Sequence, residues 1–380
     1  MTSTDAVSAP KLSFYRPELD GLRSVAFLGV FITHALPNQV DFWVGKLGPR
    51  LGPWARAGIE GGRFGVDLFF VLSAYLITEV LLREKRARGT ISIPSFYARR
   101  ALRIWPLYFA FVALVLVLGA TTERFAESLT TGYKIGLLTF TSNWVIAITG
   151  FQISSMNVLW SVGIEEQFYL TWPFLVRSLS LKGLRVVALC LIPVAVVTRV
   201  LLMPASVWEF DANVWCNLFA RVDTIALGVL AAVVLDGRIP RLRAALARVA
   251  LLATPAIIVA LVRFGCFFGN PVVATASYLV AALGCLSCVL STLSLGARSL
   301  LATRIPIAVG RVSYGAYVLH FFVLRALPPA AWKAPLALLL TLACAAASFR
   351  WLERPFLKLK ERVSAVTKSS GEPAAESKAA

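Results

Sequence analysis

Long apolar stretches recur along the whole chain, separated by short polar and basic connections. A run of about 20 apolar residues is long enough for a helix to cross the hydrocarbon core of a bilayer. The pattern therefore predicts an all-α fold, a polytopic transmembrane helical bundle with about ten spans. The predicted spans are residues 19–36, 64–82, 103–120, 157–176, 185–203, 214–235, 249–268, 271–294, 305–327 and 334–352.

One further apolar stretch, residues 135–150, is shorter than a span and contains Asn143 and Trp144. Lysine and arginine concentrate in the cytoplasmic connections of membrane proteins. The connection after the second span is strongly basic, and the later basic connections share its side only if 135–150 does not cross. We therefore predict that 135–150 is re-entrant or interfacial and that both termini are cytoplasmic. The basic residues of that connection are Arg83, Lys85, Arg86, Arg88, Arg99, Arg100 and Arg103.

Composition supports a membrane protein with no room for a large soluble domain. Of 380 residues, 58% are hydrophobic and 15% are charged, and the mean hydropathy is +0.74. The net charge of +18 would suggest nucleic acid in a soluble protein, but here it follows from the basic cytoplasmic connections. We expect a multi-pass protein of the cell inner or plasma membrane whose partners include the lipid bilayer and no nucleic acid. No pattern in the sequence bears on its oligomeric state.

The chain divides into a cytoplasmic N-terminal segment (1–15), a membrane domain (16–360) and a polar tail (361–380) that we expect to be disordered. The loop 37–63 is expected to lie outside and to cover the mouth of a cavity.

The first span carries two ionisable residues on one face. Arg23 and His34 are 11 residues apart, which in a helix is about 20° past three full turns and about 16 Å along the axis. Charged residues inside a membrane normally face a bundle interior or a wet cavity, and they usually have a function. The alternative is that Arg23 reaches to the membrane surface and His34 ends the helix.

Two other segments contain charges that could serve a reaction. Arg100 and Arg103 are three residues apart at the cytoplasmic entry of the third span and project to the same side, with Arg99 adjoining them. Arginine binds phosphate through two parallel hydrogen bonds, although these arginines also fit ordinary cytoplasmic positive charge. Adjacent Glu165 and Glu166 cannot share a helix face, so at most one meets an arginine or histidine, and a structural ion pair is the alternative.

Several residues are possible supporting members of a site. His320 is the only other histidine, and a packed interfacial residue is the alternative for it. Arg221 and Asp223 are two residues apart and can serve two different neighbours. The remaining supporting residues are Asp67, Ser73, Glu166, Tyr169, Tyr314 and Glu353.

Six segments in order resemble acyltransferase family 3, a family of integral-membrane acyltransferases. They are "ELDGLRSVAFLGVFITH", "GVDLFFVLSAYLIT", "YARRALRIWPLY", "LWSVGIEEQFYLTWP", "SYGAYVLH" and "LERP", and they span residues 16 to 356. The family usually has Ser-Gly where this chain has Ser73-Ala74, and Phe is common at the position of Tyr75. The resemblance implies transfer of an acyl group, usually acetyl, from a coenzyme A thioester to a hydroxyl of a sugar in an envelope or secreted glycan.

The resemblance also implies roles for individual residues. The essential Arg and His of the family fall on Arg23 and His34, and the family's glutamate near its fifth span falls on Glu165. The basic motif that would bind the donor falls on Arg100 and Arg103, with Arg99 beside them.

On this basis we expect His34 to be the general base, and a carboxylate such as Glu165 to fix its tautomer. No metal or permanently bound cofactor is expected, because acetyl-CoA or another acyl-CoA is a co-substrate. Two other functions stay open: acylation of a sugar on a small molecule such as an antibiotic, and a non-enzymatic transporter or flippase.

Overall fold

The computed structural model describes residues 15–122, 129–203 and 212–359, and within these ranges the chain is helical with no β-strand. Most of the predicted terminal segments, 1–15 and 361–380, lies outside the described residues. The helices are α1 (Pro17–Ala35), α2 (Val40–Gly61), α3 (Gly65–Arg88), α4 (Ile93–Thr121), α5 (Thr131–Leu138), α6 (Ser142–Thr149), α7 (Trp160–Ser178), α8 (Leu181–Leu202), α9 (Ala212–Trp215), α10 (Leu218–Leu235), α11 (Ala244–Arg263), α12 (Pro271–Leu295), α13 (Arg304–Arg311), α14 (Ser313–Ala326) and α15 (Lys333–Ser348).

The helices agree with the polytopic bundle that the hydropathy pattern predicts. Among the described residues, seven helical stretches are long and apolar enough to cross a membrane, and the pair α13–α14, bent by 71°, makes an eighth. Helices α1 and α7 have 19 residues each, about 28 Å at 1.5 Å per residue. Both carry the polar residues of the candidate site, which lower their hydropathy, and with them the count reaches the predicted ten.

The expectation of a loop at 37–63 is wrong, because Val40–Gly61 is helical. Its glycines and prolines favoured a loop at the sequence level. In the structure the break is confined to Gly48, whose φ of 79° and ψ of 170° are non-helical. Pro49 follows directly and lies in the first turn of the next helical part, where proline costs no hydrogen bond.

The segment 135–150 forms two short helices rather than a span, as predicted. Helices α5 and α6 have eight residues each, about 12 Å, and a turn with Phe140 at φ 57° separates them. Non-helical backbone at membrane depth must be covered by protein. Buried Asn143 supplies part of that cover, because it donates to the Cys216 carbonyl at 3.3 Å and accepts from Gln167 at 2.8 Å.

Helix α10 packs against α3 at very short range. A Cβ at Gly228 of α10 would lie 2.4 Å from the Val71 carbonyl oxygen and 2.9 Å from Cβ of Ala74. Small residues allow such close helix contacts in membranes. The family usually has glycine at the position of Ala74. In this chain the glycine that permits the close approach is Gly228, on the facing helix α10.

Two buried ion pairs tie α10 to its neighbours, as the i, i+2 spacing of Arg221 and Asp223 predicts. Arg221 binds Asp67 of α3, and Asp223 binds Arg199 of α8 at 2.7 Å. These side chains are at most 3% exposed. A buried charge without its partner is strongly destabilising, so the pairs fix the relative positions of α3, α8 and α10.

Candidate active site

A cavity of about 100 Å³ lies among helices α1, α3, α4, α7 and α14. Apolar side chains of Val66, Phe69, Phe70, Ile104 and Val162 form part of its wall. Its polar and charged lining residues are Arg23, Ser73, Arg100, Arg103, Ser161, Glu165, Tyr169, Ser313, Tyr314 and Tyr317. Segments from across the chain that carry the predicted site residues therefore meet at one place.

Two arginines of α4 face this cavity without an anionic partner. Neither Arg100 nor Arg103 makes an ion pair or hydrogen bond to any residue that the structure describes, and Nε of Arg100 is buried. The Arg100 guanidinium lies 5.8 Å from the ring centroid of Phe96 and 5.7 Å from that of Tyr169. Aromatic faces attract a cation without neutralising it, so both arginines can take an anion.

Arg99 does not join them, contrary to the predicted donor-binding group of three. It donates to Glu84 at 2.9 Å, and Glu84 also accepts from the backbone N–H of Ser92 at 3.0 Å. Consecutive helical residues point about 100° apart, so Arg99 and Arg100 diverge. Arg99 is part of a structural ion pair that joins the end of α3 to the start of α4.

Arg23 lines the cavity from α1 and is held by a carboxylate one turn earlier. Its Nη1 lies 3.1 Å from Oδ1 of Asp20, and the Arg23 side chain stays 22% exposed. This places a third guanidinium in the same cavity as Arg100 and Arg103. The structure therefore brings Arg23 together with the α4 arginines, whereas His34 is not among the residues that line this cavity.

The two adjacent glutamates point to different partners, as predicted. Glu165 accepts from the Tyr169 hydroxyl at 3.0 Å, and the Tyr169 oxygen in turn makes a short hydrogen bond with Ser73. Since the Tyr169 proton goes to Glu165, Ser73 is the donor to Tyr169. Glu166 instead accepts from Nε1 of Trp105 at 3.2 Å and does not line the cavity.

The two histidines contact each other although 286 positions separate them. Nε2 of His320 lies 3.1 Å from Nδ1 of His34, and Nδ1 of His320 lies 2.6 Å from the Tyr317 carbonyl oxygen. His320 is fully buried, whereas His34 is exposed. From the sequence we expected a carboxylate such as Glu165 to contact the His34 ring. In the structure His320 makes that contact, and Glu165 is hydrogen-bonded to Tyr169.

These contacts define which nitrogen of each neutral ring carries the proton. A carbonyl oxygen only accepts, so Nδ1 of His320 must be the donor. Nε2 of a neutral His320 is then an acceptor, and Nδ1 of His34 must donate to it. The remaining nitrogen of His34, Nε2, therefore keeps a free lone pair. A general base needs such a lone pair to accept a proton.

Tyr317 connects the histidine pair to the cavity. From the sequence we singled out neither Tyr317 nor Ser161. Its side chain lines the cavity, and its hydroxyl lies 2.7 Å from Ser161 Oγ and 2.9 Å from the Val158 carbonyl oxygen. Its own carbonyl oxygen is the acceptor of His320. The available signal was spacing, because Tyr317 is one turn from Tyr314 and Ser161 is one turn from Glu165 on their helices.

Three of the supporting residues have structural contacts. Asp67 binds Arg221 away from the cavity, and Glu353 accepts from Ser348 at 3.2 Å. Tyr314 lines the cavity, and its hydroxyl donates to the Ile104 carbonyl at 2.8 Å.

Residues 16–350 match the family model of acyltransferase 3, which is described as an acyltransferase domain. "Putative O-acetyltransferase SAS0844" of Staphylococcus aureus strain MSSA476 is 32% identical over 244 residues, 61% of this chain and 37% of that protein. "Peptidoglycan O-acetyltransferase OatA" of Listeria monocytogenes strain EGD-e is 32% identical over 166 residues, 42% of this chain and 24% of that protein. "O-acetyltransferase OatA" of S. aureus strain NCTC 8325 is 30% identical over 229 residues, 57% of this chain and 34% of that protein.

The matches cover between 24% and 37% of the length of these relatives. No solved structure gives a significant match to the chain.

Proposed function

The chain belongs to the acyltransferase 3 family. We propose that it is a membrane O-acyltransferase that transfers an acyl group, with acetyl as the first candidate, from acyl-coenzyme A to a carbohydrate hydroxyl. The observation that carries the proposal is the cavity in which Arg100 and Arg103 have no anionic partner among the described residues. The names of the relatives support an acetyl group, and the one named for peptidoglycan supports a glycan as the acceptor.

The donor would bind through its phosphates. Guanidinium groups bind phosphate with planar, bidentate geometry, and coenzyme A carries several phosphates. Arg100 and Arg103 line the cavity without an ion pair to any described residue, and Arg23 lies beside them with its charge partly balanced by Asp20. The thioester end would then extend past Tyr314 and Tyr317 toward the histidines.

His34 would be the general base. Its Nε2 takes the proton of the acceptor hydroxyl while the hydroxyl oxygen attacks the thioester carbonyl carbon. Collapse of the tetrahedral intermediate forms the ester and breaks the carbon–sulfur bond, and the leaving coenzyme A thiolate takes the proton from His34, which restores the neutral base. His320 is then a positioning residue, because it acts on the acceptor only through His34. Glu165 would likewise position Tyr169 and Ser73 at the cavity wall.

The orientation would place the donor side in the cytoplasm. Arg100 and Arg103 lie near the start of α4, at the end of the most basic connection of the chain. Since basic connections are cytoplasmic, the donor arginines would face the compartment that contains acyl-CoA, and both termini would be cytoplasmic. His34 would then lie toward the outer side, where an envelope glycan is found.

The test is release of free thiol from acetyl-CoA by the purified protein in nanodiscs, with and without a soluble glycan acceptor. We expect acceptor-dependent release that falls by about 10²- to 10⁴-fold in His34→Ala, the range for loss of a general base. Asn38→Ala, an exposed position just beyond α1, is the matched control and should keep full activity. Absence of thiol release from folded, monodisperse protein with acetyl, propionyl and longer acyl-CoA donors would refute the proposed acyltransferase activity and favour a transporter.

A further inference from the structure

A second cavity lies on another face of α1 and shares no lining residue with the candidate active site. It is a groove of about 700 Å³ among α1, α2, α11 and α12. On α1 it is lined by Leu22, Val25, Ala26 and Gly29, whose mean direction is about a third of a turn from that of Arg23. Its volume lies in the range of about 300–1,000 Å³ that is typical of ligand sites.

The walls of this groove are apolar and open toward the surface of the membrane-spanning helices. Val25 is 47% exposed, Leu252 is 75% exposed and Leu300 is 85% exposed. On the α2 side the wall contains glycine, and a Cβ at Gly58 would meet no atom within 4 Å. The free space is therefore bounded by hydrocarbon groups and suits an alkyl chain.

One end of the groove carries two arginines. Arg248 lies in the second turn of α11, and Arg298 follows the end of α12. The backbone N–H of Leu242 donates to Ser294 Oγ at 2.9 Å, which brings the start of α11 next to the end of α12. Both arginines are exposed, and neither forms an ion pair or hydrogen bond with another residue in the described part of the chain.

We propose that this groove binds one anionic phospholipid, with an acyl chain along the apolar walls and its phosphate at Arg248 and Arg298. Basic pockets between transmembrane helices bind anionic lipid headgroups, and the unpaired guanidinium groups supply the complementary charge. The lipid would contact the helix that carries Arg23 and His34, so its binding would stabilise the position of α1. The proposal does not depend on the acyl transfer reaction.

The first test is native mass spectrometry of the detergent-purified protein after incubation with phosphatidylglycerol or phosphatidylcholine. We expect the wild type to retain one phosphatidylglycerol in preference to phosphatidylcholine. Gly58→Leu fills the groove from a position with free space, and we expect it to lower retention about tenfold or more. Gly45→Leu is the matched control, because its Cβ also meets nothing within 4 Å and Gly45 does not line the groove.

A second pair of variants tests the headgroup contact. Arg248→Gln/Arg298→Gln should remove the preference for phosphatidylglycerol, whereas Arg241→Gln/Arg243→Gln, which changes the same net charge outside the groove, should keep it. Phosphatidylglycerol should raise the unfolding temperature of the wild type and of both controls, Gly45→Leu and Arg241→Gln/Arg243→Gln, and should not raise that of the groove variants. Equal retention of the two lipids by wild type, or undiminished retention by folded Gly58→Leu and by the Arg248/Arg298 variant, would overturn the proposal.

Discussion

The hydrogen bond from His34 to His320 makes the protonation pattern of both rings directly measurable. The chain contains only two histidines, so ¹⁵N-histidine labelling of protein purified without a histidine tag reports on these two rings alone. We expect both neutral rings to carry the proton on Nδ1. A spectrum in which His34 carries its proton on Nε2 would refute the assignment of that nitrogen as the base.

The magnitude follows from the contact between Nδ1 of His34 and Nε2 of His320 at 3.1 Å. A neutral hydrogen bond contributes about 0.5–1.5 kcal/mol net, which at room temperature is a factor of about 2 to 13 in the ratio of the two tautomers. His320→Leu removes the acceptor, so the ¹⁵N spectrum of His34 should become a mixture, and kcat should fall by a similar factor. This loss is far smaller than the one expected for His34→Ala.

His320→Gln separates positioning from packing. Its side-chain amide oxygen can accept from Nδ1 of His34, so we expect it to restore the single tautomer and most of kcat relative to His320→Leu. If His320→Gln and His320→Leu lose kcat equally while the ¹⁵N signal of His34 stays unchanged in both, His320 acts through packing and the tautomer argument fails.

Three further outcomes follow from the cavity. Arg100→Gln and Arg103→Gln should each raise KM for acetyl-CoA about tenfold or more with little change in kcat, because each removes a charge-assisted contact worth about 1.5–3 kcal/mol. Arg99→Gln should lower the unfolding temperature and leave KM unchanged, and a KM effect equal to that of Arg100→Gln would contradict the structural ion pair with Glu84. Tyr169→Phe should lower kcat and change KM less, because it breaks the hydrogen-bond chain from Ser73 to Glu165. Unchanged steady-state kinetics would exclude that chain from the reaction.

Local pattern was sufficient for the helices and for part of the site. Apolar length predicted the spans, and the 3.6-residue period placed Arg100 and Arg103 on one side and separated Glu165 from Glu166. Pattern failed where a partner is distant in sequence. The contact between His34 and His320 joins helices α1 and α14, which are far apart along the chain, and no local signal predicts it. The prediction of a loop at 37–63 was wrong for another reason. A Gly-Pro step such as Gly48-Pro49 can begin a new helical segment as well as end one.

The pair of Asp67 and Arg221 allows a fold role to be separated from a catalytic one. Both side chains are at most 3% exposed, and the Arg221 guanidinium also lies 4.2 Å from the centroid of the Trp215 ring. Removing one member of a buried ion pair costs about 3–5 kcal/mol, whereas replacing both by apolar residues of similar size is often neutral.

We therefore expect Arg221→Met alone to lower the free energy of unfolding by about 3–5 kcal/mol, measured by denaturant titration in detergent. Asp67→Leu/Arg221→Met should recover most of that loss and should keep kcat, because neither side chain lines the active-site cavity. The neighbouring pair of Arg199 and Asp223 stays balanced in this variant and serves as the internal control. A double variant that is stable but inactive would give Asp67 a part in the reaction, and one that is no more stable than Arg221→Met would show that the pair does not act as a unit.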